Sequence, residues 1–162
     1  MAEAKHTYLS FKIGAETFAV NVTKVMEIRE YQAPKALPQT LPYVSGVVEY
    51  QNEVLPLIDT GIKFGMAPVV LSAATCIVVL QLENTDLGKI YRVAVLVDNV
   101  ADVMEAELED MKTIDDDYRP DYISTTLSYK DEFVYILNAD AVFNQKEVVA
   151  IQEYLQENQE KN

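Results

Sequence analysis

Histidine and cysteine, the side chains that most often ligate metals or move protons near neutral pH, occur once each, as His6 and Cys76. One imidazole and one thiol fall short of the three or four nitrogen and sulfur ligands of a zinc site. Nor does the chain offer a nucleophile paired with a base, because His6 stands close to a terminus and has no Ser or Cys partner in view. Cys76 opens the apolar run Cys76-Ile-Val-Val-Leu-Gln-Leu82 and reads as a small buried hydrophobe. No glycine-rich loop ends in a lysine that would cradle phosphate. Carboxylates are the abundant reactive type. Glu105, Glu107, Glu109 and Asp110, followed by Asp115-Asp-Asp117, are numerous enough to hold a hard cation such as calcium. Their spacing departs from an EF-hand loop, and acidic runs of this kind are ordinarily solvated surface. The residues therefore predict a binding module with no catalytic group, cofactor or metal. An acidic cation- or ligand-binding module is the alternative, and calorimetry with calcium separates the two.

The composition narrows the partners. A chain of 162 residues, 49% of them apolar, suits one or two small globular domains and buries roughly 70% of its unfolded surface on folding. No apolar run approaches the roughly 20 residues needed to span a bilayer. The first residues lack the apolar core of a signal peptide, and a single cysteine fits a reducing compartment, so a cytoplasmic location is expected. Thirteen basic residues against 26 acidic ones give a formal charge of −13. Phosphate backbones and anionic lipid surfaces are bound through clustered Lys and Arg, so neither nucleic acid nor direct membrane insertion is expected. The charge favours partners that present basic or apolar patches.

The elements that position these residues are mostly short strands. Gly46 to Gly65 reads as a hairpin: Val47-Val48, a polar turn at Gln51-Asn52-Glu53 with Asn52 as pivot, then Val54-Leu-Pro-Leu-Ile58. Pro56 cannot donate to a sheet ladder and places its strand at an edge or bulge. The pattern recurs from Tyr129 to Phe143, with Tyr50 and Tyr129, Glu53 and Glu132, and Phe64 and Phe143 each 79 positions apart. A second match, Val22-Thr-Lys-Val-Met-Glu27 with Val100-Ala-Asp-Val-Met-Glu105, has an offset of 78. Two ordered matches at nearly one offset indicate an internal duplication. The predicted fold is mainly β: two small antiparallel barrels over about 8–66 and 75–143, joined by a linker at Met66–Ala74. Asn21 caps a helical turn that leads into an extended Met26–Arg29, and Pro34, Pro38 and Pro42 exclude a regular helix between 33 and 43. Asn144 to Glu147 resembles a capping box, opening a helix over about 145–157. Its apolar face of Val148, Ile151, Tyr154 and Leu155 covers the barrel seam or docks a partner. Met26 and Met104 occupy equivalent positions and serve either as core filler or in an adaptable groove.

Several of these segments resemble one family. Tyr8-Leu-Ser-Phe-Lys-Ile-Gly14, Val25-Met-Glu-Ile-Arg-Glu-Tyr31, Gly46-Val-Val48, Val54-Leu-Pro-Leu-Ile-Asp59 and Val134-Tyr-Ile-Leu-Asn-Ala-Asp-Ala-Val-Phe143 are similar to the CheW coupling proteins of bacterial chemotaxis, over about 8–144. The resemblance implies two intertwined five-stranded barrels. It also implies a non-catalytic adaptor that links the cytoplasmic tip of a methyl-accepting chemoreceptor to the regulatory domain of a CheA-type histidine kinase. Carried over by position, the receptor contacts fall on Val25, Glu27, Gly46 and Val103, along a groove between the barrels. One position departs: Gln51 stands where the family's hairpin has Arg, and Asn52 where it has Gly. The missing cation weakens any ion pair with Glu27 or with a partner carboxylate. It points to a specialised array, such as one that controls type IV pili and twitching, with its own cognate kinase.

Overall fold

Each copy of the repeat is built from hairpins whose turns match their residues. The computed structural model describes residues 5–36, 41–115 and 120–160. Strands β1 (Lys5–Ile13) and β2 (Glu16–Asn21) turn at Gly14, and a short 3₁₀ turn at Val22–Lys24 leads into β3 (Val25–Glu30). The Asn21 Oδ1 accepts from the Thr23 N–H at 2.9 Å, as the sequence predicts for a capped turn before an extended segment. Strands β4 (Val44–Tyr50) and β5 (Glu53–Asp59) are joined at Gln51 and Asn52, with φ of 46° and 66°. Consecutive left-handed residues mark a type I′ turn, whose twist suits a two-residue hairpin. Helix α1 (Thr60–Lys63) follows, and the Asp59 carboxylate accepts from Ile62 N–H. The second copy supplies β6 (Cys76–Asn84), β7 (Lys89–Val97), β8 (Asn99–Glu107), the two-residue β9 (Lys112–Thr113), β10 (Ile123–Tyr129) and β11 (Glu132–Leu137). The β10–β11 turn repeats the left-handed pair at Lys130 and Asp131, with φ of 51° and 63°. Helix α2 (Gln145–Glu160) closes the described chain.

The strands assort into two sheets that cut across the sequence halves. One sheet has the order β8-β1-β2-β11-β10-β9 and the other β3-β6-β7-β5-β4. The leading hairpin of each half thus inserts into the sheet of the other half. In both sheets the exchanged hairpin meets its host through a parallel pair, β2 with β11 and β7 with β5. The expected antiparallel barrels are therefore mixed sheets of six and five strands, and neither is closed by a continuous ladder. The five-stranded sheet nearly closes: a single bridge pairs Lys35 with Val47, and the Arg29 Nη1 donates to the Glu49 carbonyl at 2.9 Å. The equivalent turn glutamates also anchor to the exchanged hairpins. Glu53 pairs with Arg92 on β7 at 3.0 Å, and Glu132 bonds Lys12 on β1 and Thr17 on β2. Pro56 is not on an edge strand, since β5 lies between β7 and β4. It is tolerated because the ladder with β7 covers only Leu57 to Asp59.

Alternation along the strands gives each sheet two apolar faces. The outer faces form separate small cores, one around Val48, Tyr50, Leu57, Ile77 and Val79, the other around Tyr8, Met104, Leu127, Val134 and Ile136. Between the sheets lies the shared core, with Leu9, Phe11, Val20, Ile58, Val78, Val95 and Phe143. Helix α2 seals this seam with Val148 and Ile151, 1% and 3% exposed. Its capping box is reciprocal: Glu147 N–H donates to Asn144 Oδ1 and Asn144 N–H to Glu147 Oε1. The linker carries no regular structure, and neither do residues 31–34; Pro38 lies outside the described residues.

Candidate functional site

The shared core reaches the surface along strands β3 and β8, and two of the predicted site residues lie on its rims. Val25 pairs across the ladder with Leu80, and Val103 with Leu9. Both partners belong to the shared core, and cross-strand neighbours share a face. Val25 is half-buried against that core, whereas Val103 is 59% exposed. The 3₁₀ turn at Val22–Lys24 touches both β1 and β6, so β3 begins beside the strand with which β8 pairs.

Glu27 is on the opposite face of β3, paired with Val79 of the small core. Its carboxylate receives two donors of one guanidinium, Arg29 Nη2 at 2.6 Å and Nε at 2.7 Å. Arg29 lies 5.9 Å from the Tyr50 ring centroid, and Arg92 lies at the same distance. The cation that Gln51 lacks is thus supplied to Glu27 from its own strand. Gln51 is exposed at the hairpin tip. Gly46 is buried and answers to backbone packing: with φ of 150°, an added Cβ would lie 2.5 Å from the Lys35 carbonyl oxygen at the sheet-closing bridge.

Of the two alternatives weighed for the paired methionines, the structure gives one to each copy, and Ile28 is exposed where the sequence reading marked nothing. Met26 and Ile28 are 37% and 45% exposed, although the repeat partner Met104 is 1% exposed. No signal within either segment distinguishes them, since Val-Met-Glu occurs in both.

The groups weighed for chemistry are engaged or scattered. His6 is not in a loose end but in β1, paired with Ala106 and edge-on to Tyr8. Cys76 is half-buried at the start of β6. Among the described residues, no three His, Cys, Asp or Glu side chains stand where they could hold a metal ion. Asp116 and Asp117 of the acidic run lie outside the described residues. Within that run, a hydrogen bond that the protonated Glu109 carboxyl gives to Glu107, together with the charges of Glu107 and Asp110, pushes the Glu109 carboxyl up. An open cleft beside the β6–β7 turn includes Glu83, Asp86, Asp121 and Asp140. Asp140 is already committed there, accepting from Glu83 N–H at 2.8 Å and Lys24 Nζ at 2.7 Å. Where α2 meets the body, Lys63 lies between the rings of Tyr43, Tyr122 and Phe143 and pairs with Glu147 at 3.3 Å. The Tyr43 hydroxyl donates to Glu147 at 2.6 Å, and burial with that bond drives its phenol well above the ordinary value. This cluster fastens the helix to both halves.

Comparison with known proteins places this architecture. The chain is 28% identical over 142 residues to the probable chemotaxis protein CheW of Rhizobium etli, covering 86% of this chain and 88% of the relative. It is 26% identical over 142 residues to the chemotaxis protein CheW of Rhizobium meliloti, with the same coverage. The crystal structure of the scaffolding protein TtCheW from Thermoanaerobacter tengcongensis shares the fold with a TM-score of 0.74 at 17% identity, over 88% of this chain and 96% of that one. The family model for the CheW-like domain matches residues 7–147, and the chain belongs to that family.

Proposed function

We propose that this protein is a non-catalytic chemosensory adaptor, coupling the cytoplasmic tip of a chemoreceptor to the regulatory domain of a CheA-type kinase in the cytoplasm. The observation that carries the reading is the CheW-like match over residues 7–147, nearly the whole described chain. The rims at Val25 and Val103, set at the edges of the shared core, supply an apolar seat for a receptor helix. Glu27 and Gly46 lie behind that seat on β3 and β4, where they hold the sheet edges together, and Gln51 marks the hairpin tip. The specialised-array reading rests on Gln51. With no cation at the tip and Glu27 satisfied by Arg29, a kinase domain that relies on a tip arginine binds less well than a cognate one. Co-sedimentation of the purified protein with a receptor cytoplasmic fragment and a kinase from the same genome tests the adaptor reading. A ternary complex is expected, and failure to bind either partner would overturn it. Pull-downs comparing the cognate and the general chemotaxis kinase test the narrower reading, which equal affinity for both would sink.

A further inference from the structure

One asparagine of the repeat finds donors close by, and its equivalent does not. In the first copy, Asn21 Oδ1 accepts from the Thr23 N–H at 2.9 Å and from the Thr23 hydroxyl at 2.8 Å. The repeat offset of 78 puts Asn99 and Ala101 at these positions in the second copy. Alanine has no hydroxyl. The second copy also runs as the extended strand β8 from Asn99 onward, where the first has the 3₁₀ turn that presents the Thr23 amide. Both donors are therefore lost, and Asn99 Oδ1 is buried with no hydrogen-bond partner among the described residues. An acceptor left buried and unpaired is costly, and native proteins seldom keep one without a use.

Asn99 stands in the wall of a cavity of about 470 Å³, enclosed by the β1–β2 turn, the linker and the β7–β8 corner. The linker wall is fixed in place. Met66 N–H donates to the Gly61 carbonyl at 2.7 Å, Val69 N–H to the Asp59 carboxylate at 3.2 Å, and Ser72 N–H to Thr75 Oγ1 at 2.8 Å. A Cβ on Gly14 would come 3.1 Å from the Met66 methyl, so glycine there leaves Met66 its position. Ile13, Met66, Pro68, Val69 and Val70 make the lining aliphatic, with Val70 78% exposed. The one charge in the wall is Asp98. Its Oδ2 accepts from Gly14 N–H at 2.6 Å, and among the described residues no Lys or Arg pairs with it. We propose that this cavity binds a small aliphatic amine in its ammonium form. The ammonium brings three donors and a positive charge. Asp98 supplies the counter-charge, the Asn99 amide swings toward the head group to form a charge-assisted bond, and the alkyl chain lies along the linker. A neutral hydrocarbon would leave both polar groups unanswered, and an anion would face a carboxylate. The volume falls within the roughly 300–1,000 Å³ of small-molecule sites. Neither Val25 nor Val103 lines this cavity, so the proposal stands independently of the adaptor reading.

Amide NMR titration of the full chain with n-hexylammonium at neutral pH, and in parallel with the neutral 1-hexanol, tests this. Saturable shifts are expected at Gly14, Asp98, Asn99 and the linker amides, with the amine bound tenfold or more tighter than the alcohol. Asp98→Asn keeps an acceptor for the Gly14 N–H and removes only the charge. It should bring the amine down to the affinity of the alcohol at an unchanged unfolding midpoint. Asn99→Ala should weaken the amine severalfold without lowering that midpoint, because the oxygen it removes has no partner in the free protein. A wild-type protein with no saturable shifts at these amides overturns the proposal, as does an amine affinity untouched by Asp98→Asn. Shifts confined to Glu105–Asp110 would mark adventitious pairing with the acidic surface and overturn it as well.

Discussion

Tyr91 lies on β7 at 8% exposure, and its hydroxyl has no hydrogen-bond partner among the described residues. Burial first, then the charges of Asp140 and Glu147, push its phenol up from 10.0 to about 12. The folded protein favours the neutral phenol, so this contribution is whole below pH 10 and is lost as pH rises through 12. An unpaired buried hydroxyl costs about 1–3 kcal/mol. Tyr91→Phe is therefore expected to match or exceed the wild-type stability at pH 7 and to lose less of it between pH 10 and 12. Urea titrations across that range check this, and a steeper loss in the variant would count against it. Gly46 was reached through resemblance as a partner contact, yet its requirement for glycine lies in the Lys35 carbonyl that a Cβ would strike. Gly46→Ala should lower stability by about 1–3 kcal/mol. Val25 packs against the shared core, so Val25→Asp would set a carboxylate against apolar neighbours. Its charge should weaken receptor binding and also cost stability of about 1–3 kcal/mol. Val103→Asp, at 59% exposure, should change stability by less than about 0.5 kcal/mol and is the cleaner probe of the groove.

At the scale of single elements, local chemistry made most of the fold legible. The Asn21 cap, the capping box at Asn144 and the hairpin tips each depend on neighbours within four residues, so the chain displays them directly. Asn144→Ala removes one half of a reciprocal cap and should cost about 0.5–2 kcal/mol. Ile151→Ala, which empties a 3%-exposed seat in the seam, should cost about 2–5 kcal/mol. Thermal unfolding of both variants checks whether α2 is part of the folded body. A loss below 0.5 kcal/mol for Ile151→Ala would instead identify a helix that docks elsewhere. Met26 is the extra residue of a bulge in β3 and Ala101 of one in β8, a difference of phase that was illegible because it is fixed across the ladder, by β6 and β1. The segments themselves carry the same Val-Met-Glu in both copies. Pro56 misled for a related reason: its missing donor matters only where β7 pairs, and that ladder begins one residue later.

At the scale of the whole molecule, the duplication was visible in two offsets, but the exchange of leading hairpins was not. Pairing between residues 37 to 117 positions apart leaves no periodicity in a local window. Exchange also makes the halves interdependent, because β1 and β2 find their sheet only with β8 and β11. A fragment of residues 1–74 should be unfolded alone and gain structure when mixed with 75–162, as circular dichroism of each and of the mixture would show. Independent folding of either half would contradict the interlock. The parallel pair of β2 with β11 joins Thr17 to Val134, 117 positions later. At a synthesis rate of about 5–20 residues per second, the first hairpin emerges roughly ten seconds before the strand it must lie against. During that interval Phe11 and Phe18, both nearly inaccessible in the finished protein, face solvent without the cover of that strand. Folding of the first hairpin is thus coupled to the synthesis of β11, and whatever shields nascent apolar strands has its longest task here at β1 and β2.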